Sequence, residues 1–132
     1  MTDVTPDAVF PGVSSFSKGG SLEASPLLVD RVRDLFPAKG YCLVEQWVLF
    51  RADLTASELE TVHGQGHLPF FIFAHRVVED SRGRFQPGDW VRSSMCVSFD
   101  DGVMFETKHT VYVLMGSGYE QTASLKAIFS FF

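Results

Sequence analysis

The densest hydrophobic patterning lies between Phe70 and Met115, where strand-like runs alternate with turn signals. The run from Phe70 to Val78 is rich in aromatic and β-branched residues, which suit a pleated surface, and it predicts a strand. Glu79–Arg84 with Gly83, and then Pro87-Gly88, predict turns. From Trp90 to Phe99, Val91, Met95, Val97 and Phe99 are apolar while Arg92, Ser94 and Ser98 are polar. That period of two predicts a half-buried antiparallel strand. Asp100-Asp101-Gly102 reads as a tight turn that folds Val103–Glu106 back on this strand, and Thr110–Met115 predicts a last strand ending at Gly116-Ser117-Gly118.

Upstream, Tyr41–Phe50 is apolar on both faces, interrupted only by Glu45 and Gln46, which predicts a central strand covered on each side. Leu28, Val32, Leu35 and Phe36 recur at helical spacing after Ser25-Pro26, so a helix is expected with Ser25 as N-cap, closed by Pro37 and Gly40. That helix is expected on one side of the central strand, with the N-terminal arm or the chain end on the other. Thr55-Ala56-Ser57-Glu58 has capping-box spacing, flanked by Leu54 and Leu59, and starts a short second helix that Gly64 and Gly66 close. The tail after Gly118 fits both periods and is read as a short helix. The expected fold is α+β: an antiparallel β-meander sheet of about five strands with one or two short helices packed on it. Residues 1–24 are read as an irregular arm and 25–132 as a single domain.

Composition adds bounds. A chain of 132 residues forms a sizeable core without a metal or disulfide framework, and its thirteen phenylalanines weight that core toward aromatic packing. A net charge of −5 argues against a general nucleic-acid binder, since phosphate affinity comes from clustered Lys and Arg. The start Met1-Thr2-Asp3-Val4 lacks a signal-peptide pattern and no apolar run reaches membrane-span length, so a cytoplasmic location is expected. Cys42 and Cys96 sit within apolar strand patterns and read as reduced core thiols.

The candidate chemistry is sparse. His63 and His67 are four apart but have glycines between them and no matching acid, and Cys42, His75, Cys96 and His109 lack the short Cys-x-x-Cys knuckle; no metal and no cofactor is assigned. Asp100 and Asp101 precede Gly102, where turn geometry alone favours Asp, and Gly116-Ser117-Gly118 is an incomplete phosphate loop, so no catalytic residue is assigned. The basic and aromatic concentration is Arg76, Arg82, Arg84 and Arg92 with Phe85 and Trp90; Glu79, Asp80 and Asp89 dilute it. His75 and Tyr112 join Arg92 as polar groups for a pocket between sheet and helices. Ile128, Phe129, Phe131 and Phe132 are the candidates for self-association, because a free aromatic tail in water is an association hazard.

The segments Tyr41–Phe50, Gly88–Ser94 and Phe105–Leu114 resemble those of a family of small uncharacterised proteins from Gram-negative bacteria and their prophages, a domain of unknown function, from about Ser25 to the end. The resemblance implies a bacterial or prophage accessory protein and carries over no activity. The leading expectation is a non-enzymatic protein–protein interaction module with another protein as partner and a homodimer as a further possibility. The alternatives are a small-ligand binder or enzyme, and weak nucleic-acid binding through the Arg76–Arg92 hairpin.

Overall fold

The computed structural model describes residues 14–99 and 102–131. Among the described residues, seven strands form one mixed sheet. In chain order they are β1 (Ser14–Lys18), β2 (Gly40–Ala52), β3 (Phe70–Asp80), β4 (Val91–Arg92), β5 (Met104–Glu106), β6 (Thr110–Leu114) and β7 (Ser117–Ala123). The helices are α1 (Ser25–Leu35), α2 (Ala56–Gly64) and α3 (Leu125–Ile128), with 3-10 turns at Leu22–Ala24 and Phe129–Phe131.

The 13-residue β2 organises everything else. Along one edge it pairs antiparallel with β3; along the other it pairs in parallel with β6 over Gly40–Val44 and with β7 over Val48–Ala52. The expected antiparallel meander is therefore corrected to a mixed sheet, and about five strands to seven among the described residues. Parallel pairing between residues some 70 positions apart leaves no local turn signature, which is why alternation alone points to a meander. The stop expected at Gly116 is met, since β6 ends at Leu114, but a further strand, β7, begins at Ser117. β6 and β7 lie end to end, with Met115–Gly118 opposite Glu45–Trp47 between the two ladders. Gly116 takes φ +69° at this break and Gln46, unusually for a non-glycine, φ +55°. Met115 ties it together: its N–H donates to the Val44 carbonyl (2.8 Å) and its carbonyl accepts from Trp47 Nε1 (3.2 Å).

The sheet closes into a ring. Beyond β4 the chain is not the regular strand expected over Trp90–Phe99, but it continues along β3: Ser93 N–H donates to the Ile72 carbonyl and Cys96 N–H to that of Phe70. Ser98 then bridges Glu106 of β5, β5 pairs β6, and β6 returns to β2. Inside the ring pack Cys42, Val44, Trp47, Leu49, Ile72, Ala74, Val77, Val91, Cys96, Phe105, Tyr112 and Leu114. Because the ring supplies its own inner lining, both covering segments lie on its outer side. α1 buries Val32 against Tyr41, Leu43, Val111, Val113 and Met115, while α3 buries Ile128 against Val48, Phe50, Phe71 and Phe73. The expected cover on opposite faces of β2 is thus replaced by two covers side by side.

Several local expectations are met and others revised. Thr55 caps α2 through a full capping box: its hydroxyl accepts from Glu58 N–H (3.1 Å) and Glu58 Oε1 accepts from Thr55 N–H (2.9 Å). Ser25 is instead the first residue of α1; the cap position is Ala24, with no side-chain cap bond. Within the segment read as an irregular arm, Ser14–Lys18 forms a strand paired with β7. The Asp100-Asp101 part of the predicted turn lies outside the described residues.

Candidate functional site

On the outer side of β3, alternation points Phe71 and Phe73 away from the inner core that Ile72 and Ala74 join. The ladder register sets Arg92 of β4 opposite Phe73, and the turn before β4 lays Trp90 over the Phe73 ring (centroids 5.9 Å, planes 18° apart). His75 meets the same ring edge-on at 5.0 Å. From the other side, the 3-10 turn after α3 brings Phe129 edge-on to Phe71 (5.4 Å), and the Arg92 guanidinium sits 4.3 Å from the Phe129 ring centroid. Ser124 fixes this approach by capping α3, accepting from Ala127 N–H at 3.1 Å.

The result is one continuous aromatic surface crossed by a guanidinium. Trp90 remains 51% exposed and Phe129 46%. Arg92 is half-buried, and that burial lowers its pKa while leaving it charged at neutral pH. Stacked rings hold their contact area with few rotors to freeze, and a cation on a ring face adds a directional polar edge.

Three residues proposed from the sequence, His75, Trp90 and Arg92, are thus brought together, and with them Phe129 from the proposed self-association group. Phe71 and Phe73 were missed as surface supports; their alternation with Ile72 and Ala74 is the signal that would have found them. Ile128 is corrected: it is fully buried within its own chain. Phe131 ends the last 3-10 turn, and Phe132 lies outside the described residues.

The remaining candidates sit elsewhere. Arg76 pairs with Glu45, its ladder partner, at 3.0 Å. Arg82 lies against Gly40, where a Cβ would collide with its side chain. Arg84 latches the loop after β3: its Nη2 donates to Asp80 Oδ1 (3.1 Å) and its Nη1 to Thr110 Oγ1 (3.1 Å). Burial would raise the Asp80 pKa, but the Arg84 hydrogen bonds and charge outweigh it and hold this carboxyl below its ordinary value. Tyr112 is inside the ring, so it does not share a pocket with Arg92 and His75. Burial, then the adjacent Cys42, pushes its phenol up to about 12; burial first also takes the Cys42 thiol to about 12, so both stay protonated at neutral pH. Cys42 and Cys96 share the inner core, whereas His75 is on the outer surface and His109 is exposed, so the four do not converge. Among the described residues no three His, Cys, Asp or Glu side chains group as metal ligands.

These features define a small α+β domain: a curled mixed sheet around an apolar core, with Trp90 and Phe129 exposed on its outer side. The chain belongs to the family described as Domain of unknown function (DUF6957), whose model matches residues 18–130. No curated protein and no solved structure matches it. No helix among the described residues is long and apolar enough to cross a membrane.

Proposed function

We propose that this domain is a non-enzymatic protein-interaction module whose contact face is the surface formed by Phe73, His75, Trp90, Arg92 and Phe129. The observation that carries this reading is Trp90, half exposed yet held flat on Phe73 beside the Arg92–Phe129 stack. Trp and Arg dominate the energetics of protein interfaces because they bury large areas and keep a polar edge for the partner. The partner in this reading is another protein offering an apolar segment to the exposed Trp90 and Phe129 rings. A second copy of the chain is the alternative occupant. The family resemblance suggests the setting, a bacterial or prophage accessory protein acting in the cytoplasm.

The test is capture of partners from a bacterial lysate by the full chain and by its Trp90→Ala variant. Specific retention by the wild type, lost in the variant at unchanged folding, is the expected result. Equal retention by both proteins would contradict the assigned face. Turnover of a small molecule in an activity screen, with no partner retained, would remove the reading altogether.

A further inference from the structure

The two ends of the ring are finished differently. At one end the loop after β3 folds over the opening, with Phe85 packed on the inner core and the Asp80–Arg84–Thr110 bonds holding it there. At the other end Arg51 is paired across the ladders with Phe70 and Thr122, one inward-facing row beyond the buried Leu49. α2 runs past this mouth. Between them lies a groove of about 370 Å³. Leu59, Leu68 and Phe70 give it apolar walls, and Arg51, Asp53 and His63 stand on its rim.

Arg51 is the informative residue. Its guanidinium lies 5.1 Å from the Phe70 ring centroid and belongs to none of the three ion pairs found among the described residues. A guanidinium held by stacking keeps its N–H edge for a planar acceptor, and a carboxylate matches that edge with two parallel bonds. The volume is within the range of small-molecule sites, which favour the mouths of β-barrels and combine apolar walls with a few polar groups.

We propose that this mouth binds a small carboxylate carrying a flat apolar body, an arylalkanoate in chemical class. The carboxylate lies along Arg51 with His63 as a second polar contact, and the ring is held between Leu59 and the Leu68–Phe70 wall. Asp53 on the same rim disfavours a second negative charge, so monocarboxylates are selected over dicarboxylates. This site is independent of the outer aromatic surface.

The experiment is a titration of the full chain with 3-phenylpropionate and with its neutral analogue 3-phenylpropanamide, followed by amide chemical shifts. Saturable shifts are expected at Arg51, Leu59, His63 and Phe70, with the carboxylate binding about tenfold or more tighter than the amide, one charge-assisted contact's worth. Arg51→Gln should abolish that preference and Asp53→Asn should tighten the carboxylate, whereas Trp90→Ala should change neither. Asp53→Asn guards the test against Arg51→Gln failing to fold. Equal affinity for acid and amide, shifts mapping outside the groove, or no saturation by roughly 10 mM ligand would overturn the assignment.

Discussion

The outer side of the ring is covered in two halves that differ in completeness. Below the Gln46–Gly116 break, the eleven-residue α1 lies over Tyr41, Leu43, Val111 and Val113 and seals Val32 completely. Above it, the four-residue α3 seals Ile128, and Trp90, stacked on Phe73, and Phe129, edge-on to Phe71, stay about half exposed. Both halves begin from the same kind of apolar strand surface. The difference lies in helix length: one turn of helix cannot shield what three turns can, and what remains uncovered is aromatic and carries a guanidinium. Leu27 and Leu35 are exposed on α1, but singly, as isolated surface apolar residues commonly are.

The sharpest way to break the comparison is at the residue both halves share. Trp47 packs against Gly118, where any Cβ would strike the Trp47 ring and carbonyl oxygen, and it bonds to Met115 across the break. Trp47→Ala should cost about 3–5 kcal/mol in a denaturant titration, loosening both halves at once. Next comes the sealed half alone: Val32→Ala should cost about 2 kcal/mol, as expected for buried methyl groups beneath a helix.

Acid should separate the halves without mutation. Asp80 serves the Arg84 latch; Glu106 joins Lys39 and the Ser98 hydroxyl (2.7 Å), tying the start of β2 to the ring closure. Burial would raise the Glu106 pKa, but the Lys39 and Ser98 hydrogen bonds prevail and lower it. A carboxyl whose folded pKa lies below its unfolded value contributes stability that is fully present above the unfolded pKa and is lost as pH falls through the folded one. The melting midpoint should therefore drop on acidification below roughly pH 4–5, and Asp80→Asn with Glu106→Gln should flatten that drop at the expense of stability at neutral pH. Amide exchange should show β5, β6 and the loop after β3 opening before β7 and α3.

The smallest effects on stability belong to the open half. Phe129→Ala and Trp90→Ala should each cost about 1 kcal/mol, the former through the edge contact with Phe71 and the Arg92 stack and the latter through the stack on Phe73, both read by chemical denaturation. Trp90→Ala should nonetheless weaken partner binding by about 2 kcal/mol or more, read as a loss of affinity for the captured protein. A large effect on binding beside a small one on folding is what distinguishes a contact face from a core.

Much of this was legible in local pattern. The two-sided apolar run of β2, the aromatic run of β3 and the Thr55–Glu58 box each announce their element because the determining contacts are close in sequence. β7 was not legible. Ser-Gly-Tyr-Glu-Gln-Thr-Ala carries little apolar period, because it is held between the end of β2 and β1 rather than by a buried face of its own. Ring closure was hidden for a related reason: the return of β6 to β2 joins residues some 70 positions apart, whereas the fold-back that sets Ser98 beside Glu106 was announced by the turn signal at Gly102. The site was half legible. Trp90 and Arg92 stood out in the arginine–aromatic hairpin, His75 as a pocket group with Arg92 and Tyr112, and Phe129 as a self-association candidate, but the adjacency of the four depends on the Phe73–Arg92 register and on where α3 docks, which are non-local facts.

The two tryptophans provide the most direct check on the central claim, since Trp47 is buried at the break and Trp90 stands on the open half. Labelling the chain with 5-fluorotryptophan gives two fluorine resonances, assigned with Trp90→Phe. The account predicts that adding the partner retained by the wild-type chain shifts the Trp90 resonance and removes its solvent sensitivity while that of Trp47 stays in place. A Trp90 resonance left unmoved and still solvent-sensitive in the saturated complex would contradict it.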